Sequence, residues 1–124
     1  MYPTDLKYTR DHEWVRIHGH EAAVGITEFA QKQLGDVVFL ELPEVGRTVK
    51  QGEAFGTIES VKAVSELFAP VSGEVVAVNA DLGGHPEHVN TKPHESWMIK
   101  IRPSGAADEM THLLDAHAYS ALVK

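Results

Sequence analysis

A chain of 124 residues has the length of one domain, and 43% hydrophobic residues are enough to bury a core, which excludes a disordered chain. The formal net charge of −7 argues against nucleic acid, whose phosphates would repel it, and suits a surface that meets basic patches on other proteins. There is no cysteine, so a disulfide framework, a cysteine nucleophile and a thiolate metal site are excluded, and any thiol chemistry must come from an attached group.

Residues 13–18 alternate loosely and are rich in β-formers, and 21–26 repeat the pattern. They predict a hairpin that turns near His18-Gly19-His20. Thr27 is a good N-cap and Gly35 a good C′ residue, which frames EFAQKQL as a short helix offering Phe29, Ala30 and Leu34 to the core. Residues 37–42 read as a strand ended by Pro43. Short pieces punctuated by glycine follow around Val49, Phe55 and Ile58, and recur after Pro70 as Gly73-Glu74 and Val75-Val76-Ala77-Val78. Short, evenly spaced strands of this kind predict a small sandwich or barrel. Residues 81–94 read as a loop with at most a short helical turn, and 97–101 as one more strand, ended by Pro103. The tail 106–124 reads as helical, with Met110, Leu113 and Leu114 on one face and Asp115 capping a final turn that carries Tyr119 and Leu122. No linker interrupts the chain, so 1–124 reads as a single domain.

No apolar run reaches the length of a membrane span. The start, MYPTDLKYTRDHEW, lacks the apolar h-region of a secretory signal and the Arg- and Ser-rich bias of a transit peptide. The expected address is a bacterial-type cytoplasm.

The stretch GTIESVKAVSEL sets one amine, Lys62, in a frame of mirrored residue types: Val61 with Val64, Ser60 with Ser65, Glu59 with Glu66, Ile58 with Leu67. A lone lysine is by default a solvated charge, and the three-residue recurrence of Ile58, Val61, Val64 and Leu67 also fits a helix. Glycine before the stretch, Pro70 after it and its β-branched residues favour a hairpin with Lys62 at or beside the tip, in a register the sequence leaves open. Neighbouring Glu59 and Glu66 favour the charged amine, which suits a Schiff-base lysine poorly. They suit better a lysine modified by another enzyme, with the frame as a presentation device.

GRTVKQGEAFGTIESVKAVSELFAPVSGEVVAVN resembles a lipoyl or biotinyl carrier domain. Biotin carriers typically show Met-Lys-Met at the tip; Val61-Lys62-Ala63 is similar to the lipoyl side. LKYTRDHEWVRIHG, VGITEFAQKQLGDVVFLELPEVG and ESVKAVSELFAPVSGEVVAVN resemble the H proteins of the glycine cleavage system, over nearly the whole chain. The resemblance implies a mainly β barrel-sandwich hybrid with a short helix after the first hairpin and a C-terminal helix. It implies lipoic acid in amide linkage on Lys62, within a motif of Glu59, Ser60, Val61 and Ala63. It implies a carrier, not an enzyme, that takes an aminomethyl unit from a pyridoxal-phosphate glycine decarboxylase (P protein) to a tetrahydrofolate-dependent aminomethyltransferase (T protein). A dihydrolipoyl dehydrogenase (L protein) then restores the disulfide, and a lipoate ligase or lipoyltransferase attaches the cofactor. In this family the arm can fold back into a groove on the carrier. The stretch around His12, Glu13 and Trp14 and the segment after Asp81 are the expected lining, although Trp14 and Trp97 are by type more often core than ligand platforms.

The stretch 85–97 departs from the family pattern. His85 stands for Asn, His88 for Leu and His94 for Tyr, so a differently shaped groove is expected. The eight histidines include the pairs His18/His20 and His85/His88, but neither offers a full ligand set, and no metal site is assigned. The competing readings are an H-like protein that relays lipoate to other complexes, a biotin carrier, and a stand-alone enzyme. The last has no recognisable triad or metal motif behind it.

Overall fold

The computed structural model describes residues 2–104 and 106–123. In chain order the elements are β1 (Lys7–Tyr8), β2 (Glu13–His18), β3 (Glu21–Ile26), α1 (Glu28–Leu34), β4 (Val37–Glu41), β5 (Thr48–Val49), β6 (Ala54–Ser60) and β7 (Val64–Phe68). They continue with β8 (Gly73–Val78), α2 (Asp81–Gly84), α3 (His88–Thr91), β9 (Ile99–Pro103), α4 (Ala106–Met110) and α5 (Ala116–Leu122). The described residues form two open sheets, one ordered β1-β2-β3-β9-β8-β5 and one ordered β4-β6-β7. The mainly β class is as the sequence predicts.

The first hairpin forms where expected, running from Glu13↔Ile26 to His18↔Glu21, with Gly19 at φ 63° in the turn. The caps of α1 are also as read: Thr27 Oγ1 accepts from Ala30 N at 3.2 Å, and Gly35 follows the last turn. Its core residues differ from expectation. Ala30 and Leu34 pack on the core from partly buried positions, while Phe29 stays at the rim. The stretch 81–94 holds two helical turns rather than one, anchored by the buried Leu82 and Val89. The last strand begins at Ile99, two residues later than predicted.

The C-terminal helix is broken. Leu114 exchanges two backbone hydrogen bonds with Tyr8, at 2.8 and 2.7 Å, and a residue paired in this way cannot also continue a helix. Asp115 then starts α5 by accepting from Ala118 N at 2.8 Å. Met110 and Leu113 pack on the main core, but Leu114 joins a second cluster. The final residue of the expected tail, Lys124, lies outside the described residues.

The main core lies between the sheets and includes Val15, Val24, Phe55, Ile58, Leu67, Val75, Met98 and Ile101. The second cluster, where β1, β2 and α5 meet, is built on Leu6, Tyr8, Trp14 and Tyr119, all fully buried. Each such side chain contributes roughly 1.5–3 kcal/mol. Tyr8 and Tyr119 stack with centroids 4.7 Å apart. Trp14 needs Gly25 opposite it, because a Cβ there would fall 2.6 Å from the indole. This small cluster fixes α5 against β2, and so fixes one end of the groove described next.

Candidate functional site

The hairpin β6–β7 pairs Glu59 with Val64, Ile58 with Ser65 and Thr57 with Glu66. Ser60 N donates to Ala63 O at 2.8 Å, so Val61 and Lys62 are the two central residues of a four-residue turn. Neither has the positive φ that the usual two-residue hairpin turns require. The Ser60 hydroxyl supplies what that geometry leaves unmade. Its Oγ accepts from Ala63 N at 3.1 Å and Lys62 N at 3.3 Å, a local side-chain clasp on the turn. Val61 N donates to Asp36 O at 3.0 Å, which ties the tip to the chain leaving α1.

The mirrored frame is therefore displaced from the register. In sequence the mirror is centred between Lys62 and Ala63; in the ladder it is centred between Val61 and Lys62. Ser65 consequently opposes Ile58 rather than Ser60. Along the row Leu40–Ile58–Ser65 the first two residues are buried in the core, and the last, small and exposed, borders the groove. The outward rows are Phe39–Glu59–Val64 and Glu41–Thr57–Glu66. They present three carboxylates beside exposed Phe39 and Val64, with Val38 and Val61 exposed nearby.

Lys62 is exposed at the tip. Its stem runs over Gly35: a Cβ at Gly35 would sit 3.3 Å from Lys62 Cε. Beside the hairpin lies a groove of about 410 Å³. One wall is the α1 face of Phe29, Ala30 and Leu34, the other is the edge strand β7 from Val64 to Leu67, and Ile26 and Ile58 complete the lining with Asp11, His12 and Glu13. His12 and Glu13 both reach the groove because His12 precedes the strand at φ 72°, outside the alternation that would send neighbours to opposite faces.

The His12 ring packs on Phe29 at 4.7 Å, and its Nδ1 lies 2.8 Å from Tyr119 Oη, which lies 2.7 Å from Thr27 Oγ1. Burial pushes His12 below its usual range, partly opposed by Asp11, and lifts the Tyr119 phenol to about 12. Glu13 is buried. Thr9 Oγ1 donates to its Oε1 at 2.7 Å and Phe68 N to its Oε2 at 3.2 Å. Burial nevertheless wins and raises its carboxyl to about 8.

The sequence matches the family model Glycine cleavage H-protein over residues 6–124. It is 55% identical over 124 residues to the glycine cleavage system H protein of Brevibacillus brevis, covering 99% of this chain and 98% of that one. With the same protein of Anaeromyxobacter sp. (strain K) it shares 58% over 123 residues, 98% and 95% of the two chains. A crystal structure of a glycine cleavage system H protein from Mycobacterium marinum superposes with a TM-score of 0.88 at 41% identity, covering 97% of each chain. The chain belongs to the glycine cleavage H-protein family.

Two expectations about this family member's groove are corrected. Trp14 faces the second core cluster and donates its Nε1 hydrogen to Pro93 O at 2.9 Å, away from the groove. The segment after Asp81 does not line the groove; it braces the groove's far wall. Asn90 Oδ1 accepts from Val37 N at 2.8 Å, and its Nδ2 donates to Gly35 O and Gln31 Oε1, both at 2.9 Å. His94 Nε2 accepts from Glu28 N at 3.2 Å, at the other end of α1. The atypical loop thus bears on the groove from outside, through α1 and its Gly35 cap, through Val37 of β4 and through Trp14 of β2.

Asn90, Tyr119 and the second role of Gly35 escape sequence reasoning. For Tyr119 a signal existed, since a tyrosine on a buried helix face needs a partner for its hydroxyl. For Asn90 the residue type in a turn-rich stretch carries no such information. Among the described residues no helix is long and apolar enough to cross a membrane.

Proposed function

We propose that the chain is a non-catalytic carrier of the glycine cleavage system, bearing lipoic acid in amide linkage on Lys62. It passes the aminomethyl unit from glycine decarboxylase to the tetrahydrofolate-dependent aminomethyltransferase and the dithiol to dihydrolipoyl dehydrogenase, in a bacterial cytoplasm, after a lipoate ligase or lipoyltransferase has loaded it. The observation that carries this reading is one exposed amine on a turn locked by Ser60, beside an apolar groove. The names of the bacterial relatives support it.

The residues present fit the group. Lipoate supplies the reducible sulfur pair that a cysteine-free chain lacks. Ser60 and Asp36 hold the tip in one conformation, so a ligase meets a pre-formed substrate and loses little entropy in binding it. Gly35 leaves room for the lysine stem. Phe29, Leu34 and Ile58 offer an apolar arm shelter from water. Glu41, Glu59 and Glu66 beside Phe39, Val61 and Val64 form a surface with charge for steering and apolar area for contact. A tethered arm also gives each partner a high effective concentration of the group it carries.

The test is intact mass with peptide mapping after expression with lipoate and an active ligase, followed by reconstitution with the three partner enzymes. One lipoyl increment on Lys62, with glycine-dependent turnover lost in Lys62→Arg, is expected. A biotin increment, or an unmodified Lys62 under these conditions, would overturn the proposal. Loading without turnover, with lipoate passed on to another complex's domain, would replace the shuttle by a relay.

A further inference from the structure

The segment between β8 and β9 carries chemistry that the carrier reading does not use. His88 N donates to His85 O at 3.1 Å, and the turn so formed, with Pro86 and Glu87 inside it, brings three potential ligands to one side. One ligand atom from each of His85, Glu87 and His88 lies within 4.8 Å of the other two. His85 Nδ1 is 3.3 Å from Glu87 Oε2, and His88 Nε2 is 4.0 Å from that same oxygen. The two imidazoles are nearly parallel, 5.1 Å apart. A fourth group stands behind them: Asp81 Oδ2 is 3.2 Å from His88 Nδ1.

We propose that His85, Glu87 and His88 form a surface site for a divalent transition-metal ion of the zinc type, with Asp81 orienting His88. The donor set is two imidazole nitrogens and one carboxylate, which suits zinc and its neighbours and not the all-oxygen preference of calcium or magnesium. With bonds of about 2.0–2.1 Å, tetrahedral ligands stand about 3.3 Å apart. The His85–Glu87 distance already meets this, and the exposed side chains can close the rest.

The second contact of His88 points the same way. Asp81 Oδ2 stands within hydrogen-bond reach of His88 Nδ1, and a carboxylate on the far nitrogen of an imidazole is the arrangement that orients a metal-binding histidine. Water would fill the remaining position. The ion would staple α2 to α3, the segment that Asn90 links to Gly35 and hence to the surface beneath the Lys62 stem.

Isothermal titration of the untagged full chain with Zn²⁺, at pH 7.5 in a non-coordinating buffer, tests the site. One saturable ion per chain is expected. It should be lost in His85→Ala/His88→Ala, weakened about tenfold in Asp81→Asn, and unchanged in His20→Ala, a histidine on the distant β2–β3 turn. The imidazole Hε1 resonances of His85 and His88 should shift with Zn²⁺ while that of His18 stays in place. Circular dichroism identical to the parent shows that each variant is folded. Absence of saturable binding, survival of binding in the double variant, or equal loss in His20→Ala overturns the site. Undiminished binding in Asp81→Asn overturns the orienting role of Asp81.

Discussion

Replacing Glu13 by Gln should remove a pH dependence of stability that the parent carries. Burial raises the Glu13 carboxyl from 4.5 to about 8. Below about pH 4.5 both the folded and the unfolded chain hold this proton. Between about 4.5 and 8 the unfolded chain releases it while the fold keeps it, so the unfolded state binds fewer protons and stability falls as pH rises. Above about 8 the loss is complete. At about 1.36 kcal/mol per unit, the interval from 4.5 to about 8 sets a ceiling of about 5 kcal/mol. Glutamine has one carbonyl oxygen for the two donors, Thr9 Oγ1 and Phe68 N, but so does the neutral carboxyl that the folded parent carries below about pH 8, so the missing hydrogen bond, about 1 kcal/mol, counts only against the ionised carboxylate. Urea unfolding of both proteins from pH 5 to 9 measures the difference. Glu13→Gln should lie within about 1 kcal/mol of the parent at pH 5 and be the more stable by a few kcal/mol at pH 9. A difference that is flat, or that turns further against the variant as pH rises, would mean that the two donors outweigh burial and hold an ionised carboxylate, and the reasoning would fail.

Ser60→Ala should destabilise the fold by about 1 kcal/mol in urea titration and slow lipoylation, because the Lys62 and Ala63 amides lose their acceptor and the tip loosens. Tyr119→Phe keeps the stacking on Tyr8 and removes only the hydroxyl between His12 and Thr27. A loss of about 1–2 kcal/mol is expected, with a shift of the His12 imidazole resonances that a purely apolar role for the ring would not produce. Asn90→Ala orphans Val37 N and Gly35 O together, so a loss of about 2–3 kcal/mol is expected, with faster amide exchange at Val37.

The local elements were legible because each rests on neighbouring residues. The hairpin at 13–26, the Thr27 and Gly35 caps and the exposed position of Lys62 follow from alternation, capping side chains and glycine punctuation within a few positions of each other. The H-protein motifs likewise lie in continuous runs of sequence. The tip register was not legible, because the mirrored residue types point to an axis one residue away from the one that the Ser60 clasp and the Asp36 tie impose. The break in the C-terminal helix was hidden for a similar reason, since it depends on a bridge between Leu114 and Tyr8.

What this chain determined by itself was the first hairpin, the caps of α1 and which lysine is presented. These depend on alternation, capping side chains and turn residues within a few positions of each other. Only the tertiary structure decided what surrounds that lysine. Asn90 beneath Gly35, Tyr119 between His12 and Thr27, and Glu13 against the edge of β7 are contacts between residues 55, 107, 92 and 55 positions apart. Such pairs depend on how the two sheets and α5 pack, and no local pattern of residues encodes that packing.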